Sequence, residues 1–290
     1  MATLEALSKN ELADQSELYI YCDGPIDSQN KENLKKIEEV RKIVKSKNWC
    51  KKVEVIERAK NWGLANNIID GVTKTLDKFG KIIVLEDDLI TSQKFLSFMN
   101  FYLDKGSSIE FLYGISGSTF YENNESTDCY YLPINSSWGW ATWKHKWDMI
   151  DFDATRLKLR IENEKKVKSI DFGNYPYYAM LTDQVEERID SWAIRFYAFM
   201  YLNGGHFLFP VNSLVKNIGF DTSGTHGESS SVFNLERIKT DNFNFQPPPK
   251  SIDQKMVEKV RRSFEKKMKS KQPHILQRIT SYIKRKLQKK

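Results

Sequence analysis

The sequence predicts an α/β fold with a Rossmann-like, mostly parallel sheet flanked by helices and followed by a basic helical tail. Strand-length apolar runs alternate with stretches of helical periodicity over the first 115 residues. Such alternation favours parallel pairing, because parallel strands need a crossover connection, usually a helix. An acidic triplet, Glu86-Asp87-Asp88, directly follows one of the strand-like runs. Finally, basic residues are concentrated at the C-terminus.

The elements follow from these patterns in chain order. Helices are predicted over residues 3–13, 28–47, 63–79, 93–104 and 191–202, and strands over 17–22, 52–57, 81–85 and 111–115. The run KIIVL at 81–85 has the continuous apolar character of a strand buried on both faces. The first helix lacks the preceding strand that a right-handed βαβ layout supplies, so we expect either one more strand upstream of Met1 or a sheet that lacks one element.

Composition limits the class of protein. The chain has 290 residues with 40% hydrophobic and 29% charged residues, which sustains a folded core. No apolar run approaches the roughly 20 residues of a membrane-spanning helix, and the first residues lack a signal-peptide pattern. Cys22, Cys50 and Cys129 are far apart, which excludes a CxxC site. A reducing, cytoplasmic location is the expectation.

Charge divides the chain into two predicted units, a domain over 1–245 and a tail over 246–290. Residues 255–290 hold 14 Lys or Arg against Glu258 and Glu265, a net charge of +12, so the remaining 254 residues carry 7 − 12 = −5. A basic tail on an acidic body favours an anionic membrane surface over nucleic acid. The tail is predicted as a proline-rich linker at 246–249 and two basic amphipathic helices that separate near Pro273.

The acidic triplet is the strongest candidate for a site. A cluster that follows a parallel strand lies at the carboxyl edge of the sheet, where open α/β folds bind ligands. Three adjacent carboxylates repel one another, and a hard divalent cation such as Mg²⁺ or Mn²⁺ offsets that repulsion. The alternative is a solvated loop whose acids favour the N-terminus of the next helix.

Taken together, these features resemble the GT-A fold nucleotide-sugar glycosyltransferases, especially bacterial family-2-like sugar transferases and N-acetylglucosaminyltransferase I. Relative to that family the first strand is lacking. The similar segments keep a common order and spacing over most of residues 1–230. They are residues 21–24 (YCDG), 58–64 (RAKNWGL), 85–89 (LEDDL), 137–140 (SWGW), 190–192 (DSW) and 217–227 (NIGFDTSGTHG).

The resemblance implies roles for individual residues. It makes Asp88 a ligand of Mn²⁺ or Mg²⁺, His226 a second ligand of the metal or a donor to a phosphate oxygen, and Asp190 the catalytic base. The residues expected to bind the nucleotide sugar are Asp23, Asn61, Glu86, Asp87, Trp138 and Trp140. Some of these residues also have plain structural interpretations. Asp190 and Asn61 could each cap a helix, His226 could be a surface histidine, and at least one tryptophan of the cluster should fill the core.

The function implied is an inverting, metal-dependent glycosyltransferase of bacterial surface polysaccharide synthesis, such as lipopolysaccharide. Its partners would be a nucleotide-diphosphate sugar, a glycan or lipid-linked acceptor, and the inner face of the plasma membrane, with no nucleic acid. A nucleotidyltransferase is one alternative, although its Gly-rich basic loop is not visible in the sequence. A truncated, non-catalytic domain that binds a membrane or a partner is another.

Overall fold

The computed structural model describes residues 1–121, 128–219 and 245–287, with side chains up to residue 270. It is a mixed α/β structure. The helices are α1 (Ala2–Leu7), α2 (Lys31–Val44), α3 (Leu64–Phe79), α4 (Phe95–Gly106), α5 (Lys144–Trp147), α6 (Ala154–Asn163), α7 (Tyr177–Val185), α8 (Trp192–Leu202) and α9 (Gln254–Leu287). The strands are β1 (Glu17–Cys22), β2 (Lys52–Glu57), β3 (Lys81–Val84), β4 (Leu89–Thr91), β5 (Leu112–Ser116), β6 (Cys129–Leu132), β7 (Trp140–Trp143), β8 (His206–Pro210) and β9 (Val215–Asn217).

The predicted elements of the first half are present, and the differences lie at their ends. β1 and β2 occupy the predicted residues. α2 begins three residues later than predicted because the side chain of Asn30 caps it by accepting the N–H of Asn33. The first helix ends at Leu7, well before the predicted residue 13, and Leu12 takes a left-handed conformation with φ of 69°.

The sheet is mixed, so the expectation of a mostly parallel sheet is wrong for the described strands. One five-stranded sheet has the order β3-β7-β5-β8-β6, and three of its four pairings are antiparallel. β1 and β2 form a separate parallel pair, and β4 pairs antiparallel with β9. The late strands β6 to β9, which lack strong alternation in the sequence, take part in all four antiparallel pairings of the described strands.

β3 is an edge strand of the five-stranded sheet, and within the described residues it pairs with β7 alone. Ile82 packs against one hydrophobic cluster and Ile83 against the other, so the strand has apolar contacts on both faces, as its sequence indicates. Both side chains are nevertheless only partly buried, because an edge strand has a neighbour on one side. α3 contacts both β1 and β3 and covers one face of this region.

The C-terminal segment is part of the main body over much of its length. The carbonyls of Gln246 and Pro249 accept hydrogen bonds from the hydroxyls of Tyr102 and Tyr131. Met256, Val260 and Phe264 on α9 are buried in the core. α9 continues through Pro273 to Leu287 as one helix, so the predicted break near Pro273 is wrong; a proline removes one helical hydrogen bond and can be accommodated. No helix in the described part of the chain combines the length and apolar character required to cross a membrane.

Candidate functional site

The acidic triplet occupies the turn between β3 and β4, at the sheet edge where β3 ends. Two contacts hold Asp88 in place. The side-chain amide of Asn217 donates to Asp88 Oδ2 at 3.1 Å, and the N–H of Ile218 donates to the Asp88 carbonyl at 2.8 Å. These contacts continue the β4–β9 ladder, in which Leu89 is opposite Asn217. The short strand β9 therefore fixes the last acid of the triplet.

Glu86 is partly buried and lies against α8. Its Oε1 accepts a hydrogen bond from the indole N–H of Trp192 at 3.4 Å. Burial, together with the nearby negative charge of Asp88, raises the pKa of Glu86 to about 7. The third acid, Asp87, is exposed, and its carbonyl accepts a hydrogen bond from the Thr3 hydroxyl at 2.6 Å. Glu86 and Asp88 thus form a partly buried acidic pair that carries unfavourable electrostatic energy when ionised.

This acidic pair fits a hard divalent cation by its chemistry. Carboxylate oxygens are the ligands that Mg²⁺ and Mn²⁺ prefer. Burial is the main cause that raises the pKa of Glu86, and a cation would offset the repulsion from Asp88 that adds to it. Among the residues whose coordinates are described, no group of three or more His, Cys, Asp or Glu is arranged to hold a metal. Phosphate oxygens and water are further ligands that Mg²⁺ commonly takes.

His226, the second predicted metal ligand, lies outside the described residues. Gly219, the last described residue before residue 245, packs directly on the carboxylate of Asp88. A Cβ at position 219 would overlap Asp88 Oδ2, so a larger residue there would displace this carboxylate. Asn217 Oδ1 also accepts the N–H of Gly219 at 2.7 Å.

Asp190 precedes α8, and its side chain contacts the beginning of α3. Asp190 Oδ2 accepts the N–H of Ala65 at 3.1 Å, and Oδ1 faces Arg195 at 3.4 Å. The residue that caps α8 is Ser191, whose side chain accepts the N–H of Ile194. The interpretation of Asp190 as the N-cap of α8 is therefore wrong. The side chain of Asp190 is 48% exposed, which leaves the carboxylate accessible to a substrate hydroxyl.

Asp23 and Asn61 hold a loop together. Asp23 Oδ1 accepts the N–H groups of Gly24 and Trp62, and Oδ2 accepts the N–H of Gly63 and the side-chain amide of Asn61. A carboxylate has about four acceptor positions, so these bonds occupy the carboxylate of Asp23. The contact with a nucleotide base that the resemblance implies for Asp23 is therefore replaced by an internal role. Through these hydrogen bonds, Asp23 holds the segment before α3 against the end of β1.

The tryptophan cluster divides between core and surface. Trp140 is fully buried and stacks on Trp192 with ring centroids 4.7 Å apart. No ligand can reach its faces, so the prediction that Trp140 binds the nucleotide sugar is wrong, and the expectation that one member of the cluster fills the core is confirmed. Trp143 is also buried, with its indole N–H on the Leu103 carbonyl. Trp138 is partly buried beside Phe120 and keeps some exposed surface.

Three residues that had no predicted role complete the site: Trp192, Arg195 and Asn217. Trp192 and Asn217 lie in the family-like segments 190–192 and 217–227. Trp192 and Arg195 are three residues apart on α8 and therefore share a face, which is a weak signal in the sequence. Asn217 lies on a three-residue strand with no sequence pattern of its own. Trp192 contacts Glu86 and Asn217 contacts Asp88, in each case across more than 100 positions of the chain. Arg195 contacts Asp190, which lies in the loop before α8.

The arrangement offers two chemical capacities at one sheet edge. The acidic pair can hold a divalent cation and, through it, an anionic phosphate group, and the accessible carboxylate of Asp190 can accept a proton. Trp192 joins the two, because it contacts Glu86 and follows Asp190 by two positions. No protein-family model matches the chain, and no curated protein matches it.

Proposed function

We propose that this protein is an inverting, metal-dependent glycosyltransferase that uses a nucleotide-diphosphate sugar. The observation that carries the proposal is that Trp192, two positions after Asp190, contacts Glu86 of the acidic pair. Trp192 joins them, since its indole donates to Glu86 while its helix begins beside Asp190. Sugar transfer needs a cation site for the donor diphosphate and a base placed near the acceptor hydroxyl.

The reaction is a single displacement at the anomeric carbon of the donor sugar. The acceptor hydroxyl attacks that carbon, Asp190 takes the hydroxyl proton, and the bond to the diphosphate breaks, so the electron pair leaves with the nucleoside diphosphate. When bound, Mn²⁺ or Mg²⁺ held by Asp88 supplies the positive charge that stabilises the leaving group. Attack from the face opposite the leaving group inverts the configuration.

Arg195 and the beginning of α3 position the base. The N–H of Ala65 and the guanidinium of Arg195 contact the two oxygens of Asp190 from different sides. A carboxylate held in this way loses little freedom when an acceptor binds, and fixed geometry is a large part of catalysis. Trp138, which is partly exposed, is our candidate for an apolar surface that receives a sugar ring.

The acceptor we propose is a glycan or a lipid-linked glycan of a bacterial surface polysaccharide, reached at the cytoplasmic face of the membrane. The excess of +12 over residues 255–290 supports this location, since basic residues near an anionic surface contribute about 1 kcal/mol each. Of these basic residues, 12 lie on α9, one continuous helix to Leu287 whose shape suits it to lying on a membrane.

The test measures nucleoside diphosphate release from a panel of nucleotide sugars, with glycolipid acceptors and Mn²⁺, and repeats it in EDTA. We expect metal-dependent release that Asp88→Asn abolishes. The matched control is Asp77→Asn, which changes an exposed carboxylate paired with Lys144. Pyrophosphate release from nucleoside triphosphates would instead indicate a nucleotidyltransferase. A protein that binds neither nucleotides nor Mn²⁺ would be a non-catalytic domain.

A further inference from the structure

A cleft lies between α3 and the β1–β2 pair. Its volume is about 340 Å³, within the range of sites that bind small ligands. Tyr19 and Tyr21 line it from β1, because alternate residues of a strand share a face, and Ile56 lines it from β2. Tyr21 is the partner of Ile56 in the strand register, and both side chains are partly buried. The strand side of the cleft is therefore aromatic and apolar.

The helix side of the cleft is polar and basic. Lys74, Thr75 and Lys78 line it, and the two lysines are one helical turn apart on α3. Among the described residues that line the cleft, the acid is Glu54, and Lys52 lies 4.0 Å from its carboxylate. Two amino groups on one helix face repel each other, so this side of the cleft favours an anionic group.

Little carboxylate is available to balance these two lysines. Lys74 pairs with Asp70 at 3.0 Å, and Asp70 also pairs with the buried Arg58, so one carboxylate faces two cations. Within the ranges that the structure describes, Lys78 forms no ion pair with a carboxylate. Its amino group donates instead to the Tyr19 hydroxyl and lies 5.0 Å from the centroid of the Tyr19 ring. An amino group held by a neutral hydroxyl keeps its charge available for an anionic ligand.

Tyr21 adds an available hydroxyl on a ring that is held in place. A Cβ at Gly71 would meet this ring at 3.1 Å, so α3 packs closely on it, and the guanidinium of Arg58 lies 5.3 Å from the ring centroid. The hydroxyl makes no hydrogen bond with the part of the chain that the structure describes. An apolar ring with a polar tip suits a ligand that has both apolar and hydroxyl-bearing surfaces, as a sugar ring does.

The cleft is distant from the site that contains Asp190. The beginning of α3 contacts Asp190 through the N–H of Ala65. Lys78 follows Ala65 by 13 positions, which places it about 20 Å further along the helix axis. A ligand in the cleft would therefore leave Asp190 and the acidic pair open.

We propose that this cleft is a second glycan-binding site, which takes an acidic sugar residue of a longer chain. The tyrosine rings and Ile56 contact the sugar ring, and Lys74 and Lys78 bind its carboxylate or phosphate group. The inference deepens the proposed function and rests on it for the role of the glycan as acceptor. A glycan bound at both places would have a high effective concentration at Asp190, because its second binding event is intramolecular.

The test is isothermal titration of the full chain at low salt, without nucleotide or metal. The ligands are tetragalacturonate, glucose 6-phosphate, neutral maltotetraose and inorganic phosphate. We expect at least one acidic sugar to bind more tightly than both maltotetraose and phosphate, and the preferred one tells a carboxylate from a phosphate group.

The variants assign that binding to the cleft. Lys78→Gln should weaken it roughly 3–10-fold, because one exposed, charged hydrogen bond is lost, and Lys74→Gln with Lys78→Gln should weaken it further. Tyr21→Phe keeps the ring and should have a smaller effect. The matched control is Lys42→Gln, which removes the same charge from an exposed position on α2 and should leave the affinity within about twofold of wild type.

The contrary results are distinct. Binding of neither acidic sugar, or an equal loss in Lys42→Gln, overturns the inference. Inorganic phosphate that binds as tightly as the acidic sugars shows an anion site without sugar recognition, which also overturns it. Metal-dependent nucleoside diphosphate release that persists in these cases leaves the proposed function intact. Conversely, acidic-sugar binding that depends on Lys78 in a protein that uses no nucleotide sugar overturns the proposed function and the acceptor role, but keeps the glycan site.

Discussion

Asp190 accepts the backbone N–H of Ala65 at 3.1 Å, across 125 positions of the chain. Ala65 lies in the first turn of α3, where the N–H groups have no partner within the helix. Asp190 thus accepts a hydrogen bond from the N-terminus of α3, and the side chain of Ser191 caps the N-terminus of α8. Asp23 holds the loop before α3 in place. The contact between Asp190 and Ala65 therefore connects this loop to α8, the helix that carries Trp192 and Arg195.

The division of work between Asp190 and Ser191 gives a paired prediction. Asp190→Asn keeps the shape of the side chain but removes the base, so transfer should fall roughly 10²–10⁴-fold while donor affinity stays near wild type. Ser191→Ala removes the cap of α8 and should cost about 1 kcal/mol of unfolding free energy with transfer largely retained. Steady-state kinetics and denaturant unfolding of both variants check this. Near-normal transfer in Asp190→Asn would remove Asp190 from the reaction.

Glu86 should make the metal-free protein less stable as pH rises. The pKa of Glu86 is raised to about 7 in the folded state, so between about pH 4.5 and 7 the folded state holds a proton that the unfolded state has lost. The unfolding free energy therefore declines through this window and levels off above it. In EDTA, the unfolding free energy of Glu86→Gln should equal that of the wild type near pH 5. Near pH 8 it should exceed the wild-type value by on the order of 1–3 kcal/mol.

Urea unfolding at a series of pH values measures this difference. Asp87→Asn is the matched control, because it changes an exposed neighbouring carboxylate and should leave the slope unchanged. A wild-type slope that Glu86→Gln does not alter would mean that Glu86 is ionised and well solvated in the folded protein.

Phe264 tests whether the first turns of α9 belong to the core. It is 2% exposed, and its ring contacts those of Phe120 and Phe172 edge-on at 5.6 and 5.3 Å. Phe264→Ala should therefore cost about 3–5 kcal/mol of unfolding free energy. The control is Lys266→Ala, two residues further on α9. Chemical denaturation of both variants measures the difference, and a loss below about 1 kcal/mol would contradict this packing.

The distal part of α9 should bind anionic membranes without contributing to nucleotide binding. Deletion of residues 273–290 should abolish sedimentation with phosphatidylglycerol vesicles at low salt, because it removes six Lys or Arg residues. High salt should release the full chain from the same vesicles, since screening weakens these interactions. Nucleotide affinity should be unchanged by the deletion. A truncated protein that still sediments would place the membrane contact elsewhere.

Local patterns determined the elements of the first half of the chain. The alternation in ELYIYC and KVEVIE predicted β1 and β2 to the residue, and helical spacing predicted α3 within one residue at its start. These elements follow from side-chain periodicity, which the sequence states directly. Likewise, an acidic triplet after an apolar run indicated a sheet edge, and Glu86 to Asp88 lie at the end of β3.

Tertiary packing decided the pairing of the strands and the surroundings of each candidate residue. The apolar run KIIV is typical of a central strand, yet β3 lies at an edge of its sheet and pairs antiparallel with β7. The neighbours of a strand depend on how distant segments of the chain pack, which a local pattern does not specify. Trp138 and Trp140 are two positions apart and equally apolar, but one stays partly exposed while Trp192 buries the other. Asp23 and Asp190 both read as ligand-binding acids. The N–H groups of residues 62–65 reach both carboxylates only in the folded chain. Hydrogen bonds occupy the carboxylate of Asp23, whereas the carboxylate of Asp190 stays accessible.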